Sequence, residues 1–176
     1  NEEPVVIVRP ELYFEDNTLT LVDESEVALR VGIAYVGTAV FDASKGMLVS
    51  YTLGKKQLLD APLQPCLARA ATENDLGAGH EKRMKHWREA EFVVSSFDVH
   101  QTDSCYRVSA EFAPIKDFAY IRMTYNIYAD GVVEAVEEFK DAGNLENGKL
   151  INRIGMEFAM PGEYSTFEFY GLGPFE

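Results

Sequence analysis

The chain has 176 residues, 47% of them hydrophobic and 26% charged, which is the composition of one globular domain with a well-buried core. Its formal net charge is −13, from 29 acidic residues against 16 Lys and Arg. That balance excludes nucleic acid and anionic membrane surfaces as expected partners, because their phosphates would be repelled, and leaves neutral sugars, cations and other proteins.

The first residues are acidic and lack the long apolar run of a signal peptide. No window approaches the ~20 apolar residues of a membrane-spanning helix, so we expect a soluble protein. Cys66 and Cys105 form no C-x-x-C motif. Two free thiols are favoured over a disulfide, and the redox compartment stays open.

In chain order, residues 1–26 form a lead-in segment without a clear pattern. Residues 27–41 predict one long strand or two joined strands, with bulges at Gly32 and Gly37. A turn at residues 44–46 leads into a strand over 47–53, whose expected partner is 57–60. Residues 66–80 read as an irregular loop. A short helix is predicted over 81–90, because the segment lacks Gly and Pro and places Met84 and Trp87 at helical spacing.

The second half alternates apolar and polar residues with a period of two, which predicts strands over 106–112, 121–127, 132–139 and 154–160. Asp130-Gly131 indicates a tight hairpin turn, since Gly accepts a positive φ. Residues 140–149 form a polar loop, and 164–170 a last strand. Many short antiparallel strands with one short helix predict a single, mostly β domain over residues 1–176, an antiparallel β-sandwich.

Candidate catalytic residues are weakly supported. Glycoside hydrolysis needs two carboxyl groups facing each other across the sugar. Alternation puts Glu134 and Glu138 on one strand face and Glu137 on the other, so a solvated strand face is the preferred interpretation. The three histidines lack metal-binding spacing. Trp87 suits either a sugar-stacking site or, preferably, an anchor of the helix to the core.

Residues 69–79 (RAATENDLGAG) are the most unusual stretch, with an Arg, two acids, an Asn and two glycines. Asn and Asp side chains can fold a loop onto itself through hydrogen bonds to the backbone, and paired glycines let a loop tip move. A structural knot and a binding role remain equally open.

Five sequence stretches together resemble the terminal "small chain" domain (domain 5, leading part) of the long β-galactosidases of glycoside hydrolase family 2. Residues 41–51 (FDASKGMLVSY) resemble a family hairpin, and 58–65 (LLDAPLQP) resemble its "elL…PLrP" run. Residues 69–77 resemble R-A-P-x-D-N-D-x-G. Residues 153–157 (RIGME) and 170–176 (YGLGPFE) resemble R-(I/V)-G-(M/L) and the G-x-G-P-x-E-N-Y signature. The resemblance covers residues 40–176.

The resemblance implies a supersandwich related to galactose mutarotase, packed beside a separate catalytic (β/α)₈ barrel that retains configuration with two glutamates. It also implies a site at the rim of the substrate pocket, formed by Arg69, Glu73, Asn74, Asp75, Gly77, Gly79 and His80. No catalytic residue, metal ligand or cofactor is expected in this chain, whereas family enzymes often use a divalent metal and a monovalent cation in the catalytic region. The expected compartment is the cytoplasm or periplasm of a bacterium.

The sequence departs from the family pattern at several positions near that loop. Ala71 replaces a Pro and Glu73 an Asp. Gln64, Cys66 and Ala68 stand where the family usually has Arg, Asn and an aromatic residue. These changes leave the substrate of the longer protein open. Because Glu176 stops before the usual Asn-Tyr, we also expect further strands of the domain to follow.

The leading hypothesis is a non-catalytic fragment of a β-galactosidase, inactive alone, whose partners are a β-galactoside and the other domains of the same chain. Unpaired strand edges would also favour a homo-oligomer. The alternatives are an independent carbohydrate-binding module and, less favoured, a mutarotase-like epimerase, which needs a His and a Glu converging in an open cleft.

Overall fold

The computed structural model describes residues 19–24, 28–33, 37–145, 151–166 and 168. Eleven strands and three short helices follow one another in these ranges: β1 (Leu19–Glu24), β2 (Ala28–Ile33), β3 (Gly37–Asp42), β4 (Met47–Leu53), β5 (Lys56–Gln57), β6 (Ala61–Pro65), α1 (Glu73–Gly77), α2 (His80–Arg83), α3 (Lys85–Arg88), β7 (Val94–Gln101), β8 (Cys105–Phe112), β9 (Ala119–Tyr128), β10 (Val133–Asp141) and β11 (Met156–Ala159).

The strands form two antiparallel sheets, as the predicted β-sandwich requires. The first sheet has the order β1-β2-β3-β4-β6-β11, with β5 paired to β4, and the second has the order β10-β9-β8-β7. Neighbouring strands in each sheet are mostly neighbours in sequence. The exceptions are β6, which pairs with β4, and β11, which returns from much later in the chain to pair with β6, so that Glu157 lies opposite Gln64.

The core lies between the two sheets and is built by the alternating apolar residues. From the first sheet, Val31 and Phe41 are fully buried, and from the second sheet Val108, Met123 and Tyr125 are fully buried. Phe41 and Tyr125 meet edge to face across the sheets, with ring centroids 5.1 Å apart. The strand alternation read from the sequence is therefore confirmed as the in/out pattern of a sandwich.

Two hydroxyl groups tie the sheets together inside this core. Tyr51 on β4 donates a hydrogen bond to the carbonyl oxygen of Gly131, which lies in the turn between β9 and β10. Tyr125 on β9 donates to the carbonyl oxygen of Leu63 on β6, at 3.4 Å. Burial raises the pKa of Tyr51 to about 12, and that of Tyr125 well above its usual value. Both hydroxyls therefore remain neutral hydrogen-bond donors.

The predicted turns are confirmed. Asp42 Oδ1 accepts hydrogen bonds from the backbone N–H groups of Ser44 and Lys45, at 3.0 and 3.2 Å, and so closes the turn into β4. Gly46 has φ +66°, and a Cβ there would lie 2.8 Å from the Cβ of Ala110 on the second sheet. Glycine is needed at this turn both for its backbone conformation and for close packing.

Several boundaries differ from the prediction. The helix predicted over 81–90 is two shorter helices, α2 and α3, because the backbone of Met84 leaves the helical region (φ −97°, ψ 7°). The bulges predicted at the two glycines are wrong, since the register shifts lie between Leu21 and Asp23 and between Val40 and Phe41. At Gly37 a Cβ would overlap the carbonyl oxygen of Thr52, so close strand approach explains that glycine.

Other predicted elements fall partly outside the described residues. The segment over 27–41 is two strands, β2 and β3, and the lead-in segment holds β1, whose bounds the sequence did not define. Residues 164–166 form no strand, and most of the predicted last strand, with residues 170–176, lies outside the described residues. Cys66 and Cys105 are free thiols, as favoured from the sequence.

Candidate functional site

The segment predicted as an irregular loop contains the helix α1, and a capping box starts it. Thr72 is the N-cap: its hydroxyl oxygen accepts from the backbone N–H of Asp75 at 3.3 Å. In return, Asp75 Oδ2 accepts from the backbone N–H and the hydroxyl of Thr72, at 2.8 and 2.9 Å. The T-x-x-D spacing satisfies two free N–H groups at once, which is why five residues become helical here.

Arg69 closes this cap from the outside. Its Nη1 lies 2.7 Å from Asp75 Oδ2 and its Nη2 lies 3.4 Å from Asp75 Oδ1, and Nη1 also donates to the carbonyl oxygen of Ala70 at 2.9 Å. The backbone N–H of Thr72, and next the guanidinium of Arg69, hold the pKa of the Asp75 carboxyl well below its usual range. Asp75 is therefore a fixed anion and not a proton donor at neutral pH.

His80 completes the cluster. Gly79, with φ +67°, reverses the chain after α1, and His80 then begins α2. Its Nδ1 lies 3.7 Å from Asp75 Oδ1, an ion pair whenever the imidazole is protonated. Three of the seven predicted site residues, Arg69, Asp75 and His80, thus meet around one carboxylate.

The other predicted residues face outward and stay apart from this cluster. Glu73, Asn74 and Gly77 are exposed, and the side chain of Leu76 between them is 55% exposed. A Cβ at Gly77 or Gly79 would have no neighbour within 4 Å. The hydrogen bonds of Asp75 therefore fix the inner side of α1, here called its base, and correspond to the structural interpretation of this loop. The outer side, with Glu73, Asn74 and Gly77, is exposed and is called the tip of α1 below.

Below the cluster, Arg69 also lines a cavity of about 620 Å³ that separates β6, α3 and β11. Of the predicted site residues, the lining includes Arg69 alone. The sequence did not assign Arg88, Arg153 or Glu157 to any site. The signal that could have found them was the clustering of family departures at Gln64, Cys66 and Ala68, all of which line this cavity.

The three glutamates of β10 lie on two different faces of the strand. Glu134 accepts hydrogen bonds from Asn126 Nδ2 at 2.8 Å, and Glu138 lies 3.5 Å from Arg122 Nη1, on the outer face. Glu137 points to the inner face, opposite Met123, so the solvated-face interpretation is wrong for this residue. Its two carboxyl oxygens are buried with no hydrogen-bond partner among the described residues, and burial raises its pKa to about 7.

This arrangement separates the carboxyl groups. Glu137 lies on the opposite face of β10 from Glu134 and Glu138, so none of them faces Glu137 across a cleft as glycoside hydrolysis requires. In the part of the chain that the structure describes, no group of three or more His, Cys, Asp and Glu could hold a metal ion. No helix among these residues is long and apolar enough to cross a membrane.

Trp87 is an anchor and not an exposed platform. Its ring is 2% exposed and packs on Phe118 and Phe139, with centroid distances of 5.9 Å to each. The preferred interpretation from the sequence is confirmed: Trp87 holds α3 against the second sheet.

Comparisons with known proteins agree with the resemblance seen in the sequence motifs. The family profile described as Beta galactosidase small chain matches residues 36–176. The chain is 32% identical over 158 residues to a beta-galactosidase of Priestia megaterium, covering 88% of this chain and 15% of that protein.

In two further relatives the match also covers most of this chain but only a small part of the relative. A beta-galactosidase of Clostridium acetobutylicum is 27% identical over 145 residues, which is 78% of this chain and 15% of that protein. Beta-galactosidase BgaC of Bifidobacterium adolescentis is 30% identical over 149 residues, which is 78% of this chain and 13% of that protein. The chain spans about 15% of the length of the curated relatives it matches.

Proposed function

We propose a non-catalytic role in a longer β-galactoside-cleaving enzyme for this chain, which belongs to the β-galactosidase small chain family. The observation that carries the proposal is the coverage: the chain matches most of its own length but about 15% of the relatives' length. The separation of the β10 glutamates onto opposite strand faces supports it. In this role the sandwich packs on a catalytic domain located elsewhere in the longer protein.

The tip of α1 is the part of this chain that borders the substrate pocket of the longer protein. Arg69 and Thr72 hold the base of α1 through Asp75, while Glu73 and Asn74 on the tip are exposed and free to contact a sugar or a neighbouring domain. A fixed base with an open tip suits a residue that positions a ligand, because little order has to be gained on binding.

The remaining partners follow from the same role. The other domains of the longer chain cover the sandwich, a second copy of the longer chain joins it through strand edges, and the metal ions of the family stay with the catalytic domain. The protein acts in the cytoplasm or periplasm of a bacterium.

The first experiment measures hydrolysis of a chromogenic β-galactoside by the purified 176-residue chain. We expect no turnover above a buffer blank, with near-ultraviolet circular dichroism confirming that the aromatic core is packed. Robust turnover by the pure chain would refute the non-catalytic assignment.

The second experiment tests the rim in the longer enzyme. Glu73→Gln and Asn74→Ala are expected to raise KM several-fold while leaving the thermal midpoint unchanged, because both side chains are exposed and make no described contact. Lys55→Gln, at an exposed turn between β4 and β5, is the matched control and should leave KM unchanged. An unchanged KM in both rim variants would contradict the proposal that α1 borders the substrate pocket.

The alternatives have less support. An independent carbohydrate-binding module would use an exposed Trp87 or several exposed tyrosines as its platform. Trp87 is buried, and Tyr120 is the tyrosine among the exposed large hydrophobic residues that the structure describes. A mutarotase-like epimerase needs a His beside a Glu, whereas the described carboxylate beside His80 is Asp75, already bound by Arg69.

A further inference from the structure

The cavity of about 620 Å³ beside Arg69, called the arginine cavity below, is bounded by three separate parts of the chain. Residues 64–70 are the end of β6 and the segment after it, residues 87–92 belong to α3 and the segment after it, and Arg153 and Glu157 come from β11 and its approach. The backbone N–H of Cys66 donates to the carbonyl oxygen of Gly155 at 2.6 Å, which fixes the first and third walls together. The volume lies within the 300–1,000 Å³ of small-molecule sites.

The walls carry three guanidinium groups. Arg69 is paired with Asp75, and Arg88 with Glu81 and Glu89 at 3.3 and 3.7 Å, so both guanidinium charges have carboxylate partners. Arg153 is exposed and has no ion-pair or hydrogen-bond partner among the described residues.

A free guanidinium in a cleft is a planar donor for a carboxylate or another oxyanion. In a chain with a net charge of −13, Arg153 is the guanidinium of this lining that no carboxylate among the described residues neutralises. The single carboxylate in its lining, Glu157, accepts a hydrogen bond from Gln64 Nε2 at 2.6 Å.

Trp87 adds an independent observation. It lines the cavity and is 2% exposed, yet its indole N–H has no hydrogen-bond partner among the described residues. Buried donors of this kind are nearly always satisfied in native proteins, so an acceptor beside the Trp87 N–H is expected. Phe92 and Leu67 give the same cavity an apolar wall.

We propose that the arginine cavity binds a small carboxylated sugar, whose carboxylate lies on Arg153 and whose hydroxyls contact Gln64 and Glu157. The requirement for an anion comes from Arg153, because Arg69 and Arg88 already have carboxylate partners. The choice of a sugar rests on the proposed function, and it agrees with a cavity that combines an apolar wall with polar side chains.

Isothermal titration calorimetry of the 176-residue chain tests the proposal with five probes: glucuronate, galacturonate, galactose, acetate and inorganic phosphate. We expect at least one uronate to bind at least tenfold more tightly than galactose, acetate and phosphate, and the affinity to fall as salt is raised. Arg153→Gln should weaken uronate binding at least fivefold, because it removes the guanidinium that has no ion-pair partner among the described residues. Arg30→Gln, an exposed arginine on β2, is the matched control and should bind like the wild type.

Each contrary outcome is decisive. Galactose binding as tightly as the uronates would overturn the anion requirement, and phosphate or acetate binding equally well would overturn the sugar. Equal affinity in Arg153→Gln and wild type would place any binding elsewhere. Ala68→Trp, which fills the cavity, gives a second readout and should abolish binding. None of these measurements uses catalysis, so loss of the galactosidase assignment would leave the result intact, and the reverse also holds.

Discussion

Glu137 provides the sharpest test of the packing between the sheets. It lies on the inner face of β10 between Ala135 and Phe139, both of which pack against the core. Neither of its carboxyl oxygens has a partner among the described residues, and burial raises its pKa from 4.5 to about 7. We therefore expect the ionised form of Glu137 to destabilise the folded state, and Glu137→Gln to remove that effect.

The direction and size of the pH effect on folding stability follow from proton linkage. The unfolded chain releases this proton near pH 4.5, whereas the folded chain keeps it until about pH 7. The folded state therefore binds more protons in this window, and its stability falls as pH rises through it. The difference in pKa sets an upper limit of about 3 kcal/mol at pH 8. Because the side chain keeps partial solvent access, about 1–2 kcal/mol is expected.

Urea unfolding at pH 5.5 and pH 8 measures this effect, and both values lie above the sequence pI of about 4.6. The stability of Glu137→Gln relative to wild type should increase by about 1 kcal/mol between the two pH values, which is about 2–4 °C in the thermal midpoint. Glu91→Gln, at an exposed position, should show no such change. If the stability of Glu137→Gln differed from that of the wild type by the same amount at both pH values, the reasoning would be refuted. The folded state would then accommodate the neutral and the charged carboxyl group equally well.

Three further substitutions probe the anchors described above. Trp87→Ala should lower the free energy of unfolding in urea by about 3–5 kcal/mol, and a loss below about 1 kcal/mol would contradict its burial. Tyr51→Phe removes the donor to Gly131 that joins the sheets, and should cost about 1 kcal/mol by thermal unfolding; an unchanged midpoint would count against this bridge. Asp75 has a lowered pKa, so its stabilising effect is lost as pH falls below its usual 3.8. Acid unfolding followed by circular dichroism should therefore shift in Asp75→Asn, and an identical acid transition would contradict the contact with Arg69.

The strands of the second sheet could be predicted where alternation is uninterrupted. β8 and β9 keep one face apolar over their whole length, and Asp130-Gly131 gives the turn that follows. β7 was missed because a register shift between Val94 and Ser96 breaks its period of two. The inward position of Glu137 was present in the same alternation, since it follows Val133 and Ala135 on one face.

The site was predictable only where a local pattern determines it. Arg69 and Asp75 are only six residues apart in sequence, so their contact is local. The T-x-x-D spacing that starts α1 was also visible in the sequence, although the segment was predicted to be a loop. The arginine cavity joins residues 64–70, 87–92 and 153–157, and no local pattern brings those segments together. Its walls follow from the pairing of β11 with β6, which only the three-dimensional structure reveals.

That pairing also has a consequence for the order of folding. Strands β7 to β10 each pair with the next strand in sequence, and β1 to β4 do the same, so their loops are short and close at small entropic cost. Between β6 and β11, by contrast, the chain contains the whole second sheet, and β11 has four residues with which to pair with β6. We expect both meanders to form early and β11 to dock last, so the wall that carries Arg153 is the slowest part of the described chain to assemble.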